Sequence, residues 1–107
     1  MAHESIVQVN ADNFDSEVKQ SSIPVVVDFY ADWCGPCKML APVLDSLAEE
    51  LGDSAKIAKL DIEEARELAT EYQVATIPTL LFFSGGELKD RAGMMTKDAI
   101  AAKLKEI

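Results

Sequence analysis

The sequence contains few of the residues on which metal sites, multiple cross-links and nucleic-acid interfaces depend. Its 107 residues include two cysteines, one histidine and ten lysines or arginines, against nineteen aspartates or glutamates. The formal net charge of -9 argues against nucleic acid or an anionic membrane as a partner, because both require basic patches. The longest apolar runs, such as VVV and LLFF, are of strand length and far too short to span a membrane.

The first ten residues, MAHESIVQVN, have neither a basic start nor an apolar stretch of signal-peptide length. This pattern favours the cytoplasm, where thiols are kept mainly reduced and a close cysteine pair indicates catalysis or metal binding. The length and the ordinary globular composition predict a single domain, residues 1–107, that can bury a core without disulfide cross-links.

Short apolar segments alternate with helical patterns along the chain, which is typical of an α/β domain. Strands are predicted at SIVQV, PVVVDFYA, KIAKLDI, TLLFF and ELKDRAG, the last two forming a hairpin around Ser84, Gly85 and Gly86. Helices are predicted from a cap at Asp12 or Asn13 to about Gln20, from Cys34 to Leu51, over EEARELATEY to near Tyr72, and from a Thr96 N-cap onward. This order predicts a mixed five-stranded central sheet flanked by four helices.

Both cysteines, Cys34 and Cys37, lie in the stretch ADWCGPCK, where the second predicted strand gives way to the longest helix. Functional sites cluster at the carboxyl ends of strands in α/β sheets. Pro36 suits the first turn of a helix, and cysteines three residues apart on a helix have β-carbons about 5–6 Å apart, close to disulfide distance. The free N–H groups and the dipole of a helix start favour a thiolate at Cys34. We therefore predict that Cys34 attacks a substrate disulfide, and that Cys37, expected to be more buried and less acidic, resolves the mixed disulfide.

Two other interpretations of the cysteine pair are weaker. A purely structural disulfide closing so short a loop would stabilise the fold by only about 2 kcal/mol. A zinc site usually needs four ligands, and the only histidine, His3, lies at an end that we expect to fray. A metal site shared between two chains stays open, although nothing in the sequence favours it. Cys-x-x-Cys beside a strand–helix–strand pattern indicates redox chemistry.

The string WCGPCK, the strand VVVDFYA before it, KMLAPVLD after it, and TIPTLLFF with GGELKDRAG together resemble the thioredoxin family over nearly the whole chain. The resemblance implies the thioredoxin fold and a dithiol that reduces protein disulfides without a bound cofactor. It also implies recycling by a thioredoxin reductase, and targets such as ribonucleotide reductase, peroxiredoxin or methionine sulfoxide reductase. We expect a monomer.

The resemblance also assigns roles to individual residues. It makes Cys34 the nucleophile, Cys37 the resolving thiol, Asp28 a buried carboxylate with Lys59 near it, and Pro78 a cis-proline facing the cysteines. The implied substrate-docking surface comprises Trp33, Gly35, Pro36, Ile77, Pro78 and Gly93. Pro42 matches a proline that kinks the helix, which its missing hydrogen bond to the Lys38 carbonyl also predicts.

Four of these residues can be interpreted without the resemblance. Asp28 interrupts a strand expected to be buried on both faces, which predicts a raised pKa and a general base for Cys37. The alternative is a buried polar residue satisfied by local hydrogen bonds. Lys59 could tune Asp28 or extend to the surface, Trp33 could shape the docking surface or be a packed aromatic, and Pro78 could simply be tolerated at the start of a strand.

The sequence departs from the usual family pattern at four positions. Tyr30 replaces a tryptophan, which we expect to affect packing more than chemistry. Gln73 follows a predicted helix where glycine is common, so φ is expected to be positive and unfavourable for glutamine. Met94 and Met95 follow Gly93 and would either make the docking surface adaptable or fill hydrophobic space.

Two other functions remain possible. One is a binding module that uses the same flat surface, but a scaffold has no need of both thiols. The other is a disulfide-forming oxidase, which the Gly-Pro pair and the lack of a signal peptide disfavour.

Overall fold

Five strands form one mixed sheet in the computed structural model, which describes residues 2–107. The strands are β1 (Val7–Val9), β2 (Val25–Tyr30), β3 (Lys56–Asp61), β4 (Thr79–Ser84) and β5 (Glu87–Ala92). The helical segments are a π-helical turn (Asp15–Lys19), α1 (Gly35–Leu51), α2 (Arg66–Glu71) and α3 (Lys97–Glu106). In the order β1-β3-β2-β4-β5, the first three strands are parallel, whereas β4 is antiparallel to both β2 and β5. The predicted mixed five-stranded sheet is confirmed.

The central strand β2 sends alternate side chains into two separate cores. Val25, Val27 and Phe29 pack on the side that carries the π-helical turn and α2. Val26 packs on the opposite side, where α1 and α3 contribute leucines and Ile100. Because residues two apart on a strand share a face, Asp28 lies on the α1 side. The sheet therefore places one carboxylate in the layer beneath the long helix.

Two predicted helix starts are wrong. The Asn13 side chain accepts the Asn10 N–H (2.8 Å) and donates to the Gln8 carbonyl (3.1 Å), so it closes its own turn and caps no helix. The π-helical turn follows Phe14, and neither Asp12 nor Asn13 is its N-cap. Helix α2 begins at Arg66, later than predicted, because the residues before it form a turn around Asp61.

The starts of α1 and α3 agree with the sequence. Cys34 is the N-cap of α1, Pro36 lies in its first turn, and the helix continues through Pro42 to Leu51. Thr96 caps α3 by accepting the Ala99 N–H at 3.2 Å. Of the helices within residues 2–107, none has both the length and the apolar character needed to cross a membrane.

The segment around His3 is held against α1, so the expectation of a frayed end is wrong. The His3 backbone N–H donates to Asp45 Oδ1 at 2.8 Å, and its ring Nε2 lies 2.9 Å from Glu49 Oε2. Its Nδ1 accepts the Ser5 N–H at 3.1 Å, which leaves Nε2 as the protonated nitrogen that donates to Glu49. Glu49 lies twelve residues beyond Cys37 on α1, about 18 Å along the axis. The His3 ring therefore makes its contact with Glu49 far from the cysteines.

Helix α2 ends in a left-handed residue. Gln73 has φ 55°, the predicted positive value, and its N–H donates to the Thr70 carbonyl at 3.0 Å. The following N–H, of Val74, donates to the Ala69 carbonyl at 2.8 Å. These two bonds form the termination motif that usually has glycine at the left-handed position. A glutamine there holds a backbone conformation that its β-carbon disfavours.

Replacing Gln73 with glycine should therefore raise the free energy of unfolding by about 0.4–1 kcal/mol. The gain is the relief of strain at a positive φ, less the extra chain entropy that glycine adds to the unfolded state. A urea titration monitored by circular dichroism measures it. The matched control is Asp12→Gly, at an exposed turn position without a positive φ, where glycine should give no gain. A lower denaturation midpoint for Gln73→Gly would contradict the prediction.

Candidate active site

Cys34 and Cys37 form a disulfide at the point where β2 passes into α1. Their α-carbons are 5.3 Å apart, within the range usual for a disulfide. Cys34 has an extended backbone (φ -90°, ψ 111°), and its sulfur occupies the position of a capping acceptor. The Cys37 N–H donates to Cys34 Sγ at 3.2 Å. A backbone N–H at the start of the helix thus donates to the sulfur of Cys34.

The difference between the two cysteines lies in hydrogen bonding, not in exposure. In the disulfide form the exposed fractions of the two cysteines are nearly equal, 5% for Cys34 and 4% for Cys37, so the expected greater burial of Cys37 amounts to one per cent. The bond holds both sulfurs in one small cluster with Ala31, against which Ile62 and Ile77 pack. A helix-start N–H and the helix dipole stabilise negative charge, so we expect Cys34 to have the greater thiolate character once the bond is reduced.

The loop between α2 and β4 brings Ile77 and Pro78 to the cysteines. The Ile77–Pro78 peptide bond is cis, as the family resemblance implies, and the Ile77 carbonyl oxygen lies 3.9 Å from Cys34 Sγ. Pro78 is buried and Ile77 half-buried. Gly93 adjoins them from the end of β5, since a β-carbon at this glycine would lie 4.0 Å from the Pro78 carbonyl oxygen. Ile77 therefore lies beside Cys34, and Gly93 adjoins the next residue of the same loop, Pro78.

Trp33 is exposed over 66% of its surface, which excludes the packed-aromatic interpretation. Its indole N–H donates to Glu63 Oε1 at 3.1 Å, and Arg66 donates to Glu63 Oε2 at 3.0 Å. The bond from Trp33, followed by the bond and charge of Arg66, lowers the pKa of Glu63. Glu63 belongs to an acidic run that the sequence suggests is only a solvated face. The signal that could have identified Glu63 as a site residue is its position just after β3, at the same sheet edge as the cysteines.

Asp28 is 1% exposed, and neither of its carboxylate oxygens has a hydrogen-bond partner among residues 2–107. Burial raises the pKa of Asp28 to about 7, against the opposing effect of the Lys59 charge. The predicted raised pKa is confirmed, and the alternative of a locally satisfied carboxylate is wrong.

Lys59 pairs with Asp28 in the register of the parallel strands β2 and β3. It is half-buried, and its Nζ lies 4.6 Å from the centre of the Tyr30 ring. A lysine over an aromatic face is held by a cation–π attraction. Tyr30, where the family usually has tryptophan, therefore helps to fix the charge that opposes the raised pKa of Asp28.

The two methionines after Gly93 have different environments. Met94 is 51% exposed, whereas Met95 packs against the core beneath α1 and α3. Of the two interpretations given for these methionines, the filling of hydrophobic space thus applies to Met95 and not to Met94. Met39, which no sequence pattern marks as a site residue, is 71% exposed and lies one helical turn beyond Pro36. Two unbranched, adaptable side chains stand exposed in segments adjoining the cysteines.

Two adjacent sulfurs that can bond to each other accept or donate two electrons by thiol–disulfide exchange. A mixed sheet that presents such a pair at a helix start, next to a cis-proline, defines the class of thiol–disulfide oxidoreductases to which the site belongs.

Comparisons with known proteins narrow this class to a family. Residues 5–106 match the family model for thioredoxin. A thioredoxin from Rickettsia typhi is 45% identical over 89 residues, which cover 82% of this chain and 85% of that protein. A thioredoxin from Acidithiobacillus ferridurans is 42% identical over 102 residues, 94% of both chains. A protein of Mycobacterium leprae named bifunctional thioredoxin reductase/thioredoxin is 42% identical over 102 residues, covering 94% of this chain but 22% of that protein. The chain belongs to the thioredoxin family and is a thiol–disulfide reductase.

Asp28→Asn should remove a pH dependence from the stability of the fold. Between the unfolded pKa of 3.8 and the folded pKa of about 7, the folded carboxyl retains a proton that the unfolded one has released. Stability from this group is therefore greatest near pH 4 and falls as the pH rises to 7. Relative to wild type, the variant should gain about 3–4 kcal/mol between pH 4 and pH 8, measured from urea unfolding.

The matched control is Asp53→Asn, which removes the same charge from an exposed position. Its stability difference from wild type should change little over the same pH range. If Asp28→Asn and wild type gave parallel curves of stability against pH, the buried carboxyl would not have the raised pKa.

Proposed function

We propose that the chain reduces disulfide bonds in other proteins, with Cys34 as the nucleophile and Cys37 as the resolving thiol. The observation that carries the assignment is the Cys37 N–H aimed at Cys34 Sγ from the start of α1. The Cys34 thiolate attacks one sulfur of the target disulfide, forms a mixed disulfide and displaces the first target thiolate. Cys37 then attacks Cys34 Sγ, releases the second target thiolate and forms the Cys34–Cys37 disulfide. Two electrons pass to the target.

Asp28 is the proposed base for the second step. A buried carboxylate with a pKa of about 7 can take the Cys37 proton near neutral pH and give it up again afterwards. Lys59 adjusts this pKa, since its charge favours the ionised form of Asp28. Lys59 also lines a cleft of about 340 Å³ with Ala41, Pro42 and Asp45.

The proposed docking surface for the target consists of Trp33, Gly35, Pro36, Ile77, Pro78 and Gly93. The Glu63 carboxylate holds the exposed Trp33 ring at one side. An extended target segment can pair with the backbone beside Ile77, which places its sulfur next to Cys34. Met39 and Met94 would supply adaptable apolar contact at the margins.

The electrons for the next cycle would come from a thioredoxin reductase. The Mycobacterium leprae relative, whose name joins the two activities in one protein, supports this partner. The family resemblance suggests ribonucleotide reductase, peroxiredoxin or methionine sulfoxide reductase as targets. We further propose that residues 1–107 act as a single monomeric domain in the cytoplasm, without a bound cofactor and without nucleic-acid or membrane partners.

Replacing Cys37 with serine should leave the attacking thiol and remove the resolving one. The variant should then accumulate mixed disulfides through Cys34 with its target proteins, released only by an added thiol. Non-reducing gels and mass spectrometry of the trapped species measure this and identify the targets. Cys34→Ser is the control and should trap almost nothing, because Cys37 lacks the helix-start stabilisation. Equal trapping by the two variants would reverse or remove the assigned roles.

Asp28→Asn should slow resolution by Cys37 without slowing attack by Cys34. Attack is read from the rate at which reduced Cys37→Ser, with and without Asp28→Asn, forms a mixed disulfide. Resolution is read from insulin-reduction turnover with both cysteines present. We expect slower turnover near neutral pH in the asparagine variant, because no base is left to accept the Cys37 proton. Equal turnover of wild type and Asp28→Asn from pH 6 to pH 9 would remove Asp28 from the mechanism.

A further inference from the structure

A hollow of about 340 Å³ lies beside the docking surface, between the loop that carries Pro78 and the end of β5. Its lining includes Ala75, Thr76, Thr79, Arg91, Ala92 and Gly93. Gly93 adjoins the Pro78 carbonyl, and the Ile77 carbonyl lies 3.9 Å from Cys34 Sγ. A target segment that reaches Cys34 across Ile77 and Pro78 therefore continues toward this hollow.

Arg91 is the only cationic side chain in the lining, and among residues 2–107 no carboxylate lines the hollow. The arginine is fixed in place, since it donates through Nη2 to the Tyr72 carbonyl (2.5 Å) and through Nη1 to the Gln73 carbonyl (3.3 Å). A guanidinium has five N–H donors, so these two bonds leave others for a ligand. Its charge is not neutralised by either contact, because both acceptors are backbone carbonyls.

The chemistry of the lining suits a carboxylate. A fixed guanidinium can donate to a carboxylate in a charge-assisted pair, and the Thr76 hydroxyl is a further polar group in the same hollow. The Thr79 hydroxyl already donates to the Thr76 carbonyl. The small side chains Ala75 and Ala92 leave space for a side chain to enter. The chain as a whole carries a net charge of -9, which repels acidic targets elsewhere on its surface. A local cation at this point would therefore change which acidic segments can dock.

We propose that this hollow binds an acidic side chain of the target protein, close in sequence to the target cysteine, and that Arg91 selects it. The inference rests on the proposed reduction of protein disulfides and adds a preference within that substrate class. Arg91 acts here as a specificity residue and takes no part in the exchange of electrons.

The test uses peptides with one cysteine, bonded as a disulfide to 2-nitro-5-thiobenzoate. Attack by reduced protein on the peptide sulfur forms the mixed disulfide and releases the coloured thiolate, which gives a second-order rate constant. One glutamate is moved through the four positions on either side of the cysteine in an otherwise neutral peptide, and each peptide is matched by a glutamine peptide. For wild type we expect the glutamate peptide to react about three- to fivefold faster at one position or two adjacent positions, the size of one partly exposed ion pair.

In Arg91→Gln this ratio of glutamate to glutamine rates should fall to one or below, whereas Arg91→Lys should retain part of it. The matched control is Lys89→Gln, which removes the same charge from β5 outside the hollow and should keep the wild-type ratio. If Arg91→Gln acted only through the loss of the hydrogen bonds to the Tyr72 and Gln73 carbonyls, the glutamate and glutamine peptides would both react more slowly by the same factor. The ratio of their rates would then be unchanged. If Arg91→Gln did not fold, the wild-type ratio should still fall toward one in 1 M salt.

A wild-type ratio of one or less at every position would overturn the proposal, as would a ratio above one that survives in Arg91→Gln. A ratio that high salt leaves unchanged would also overturn it. If wild type reacted with neither member of any pair, the proposed reductase function itself would fail, which separates the two outcomes.

Discussion

The site depends on the unpaired N–H groups at the start of α1, which need an acceptor. The strand β2 ends at Tyr30, and a short turn places Cys34 at the N-cap of α1, where its sulfur accepts the Cys37 N–H. A sulfur in this position carries negative charge at lower cost than one elsewhere in the chain. We therefore expect the N-cap position to make Cys34 the more reactive of two cysteines that are almost equally buried.

The carboxylate of Asp28, the proposed base, lies buried beneath this helix and makes the fold less stable when it is ionised. The sheet offers it no hydrogen-bond partner within residues 2–107, so burial raises its pKa and reduces the stability of the fold above pH 4. Lys59 offsets part of that cost from the neighbouring strand, and the Tyr30 ring keeps the ammonium in place. A fully satisfied carboxylate would be more stable, but it would not have a pKa suited to proton transfer at neutral pH.

Local patterns in the sequence were sufficient to predict the central sheet, the close cysteine pair and the buried Asp28, whereas the cis bond before Pro78 and the docking surface were predicted from the family resemblance. The apolar run of β2, the helical spacing in α1, the glycine hairpin and the positive φ of Gln73 all follow from rules that act over a few residues. Asp28 could be found because a charge interrupts a buried strand. The contacts that could not be predicted join residues far apart in the chain: Trp33 to Glu63, Arg91 to Tyr72, and His3 to Glu49. Asn13 was assigned to the wrong turn because its side chain can close two competing hydrogen-bonding patterns.

Trp33 has a practical consequence because it is the only tryptophan in the chain. It immediately precedes Cys34, it is largely exposed, and its indole N–H donates to the Glu63 carboxylate. The ultraviolet emission of the whole protein above the tyrosine band therefore arises from one ring beside the reactive sulfur. This built-in fluorophore gives optical access to the site in the unlabelled molecule.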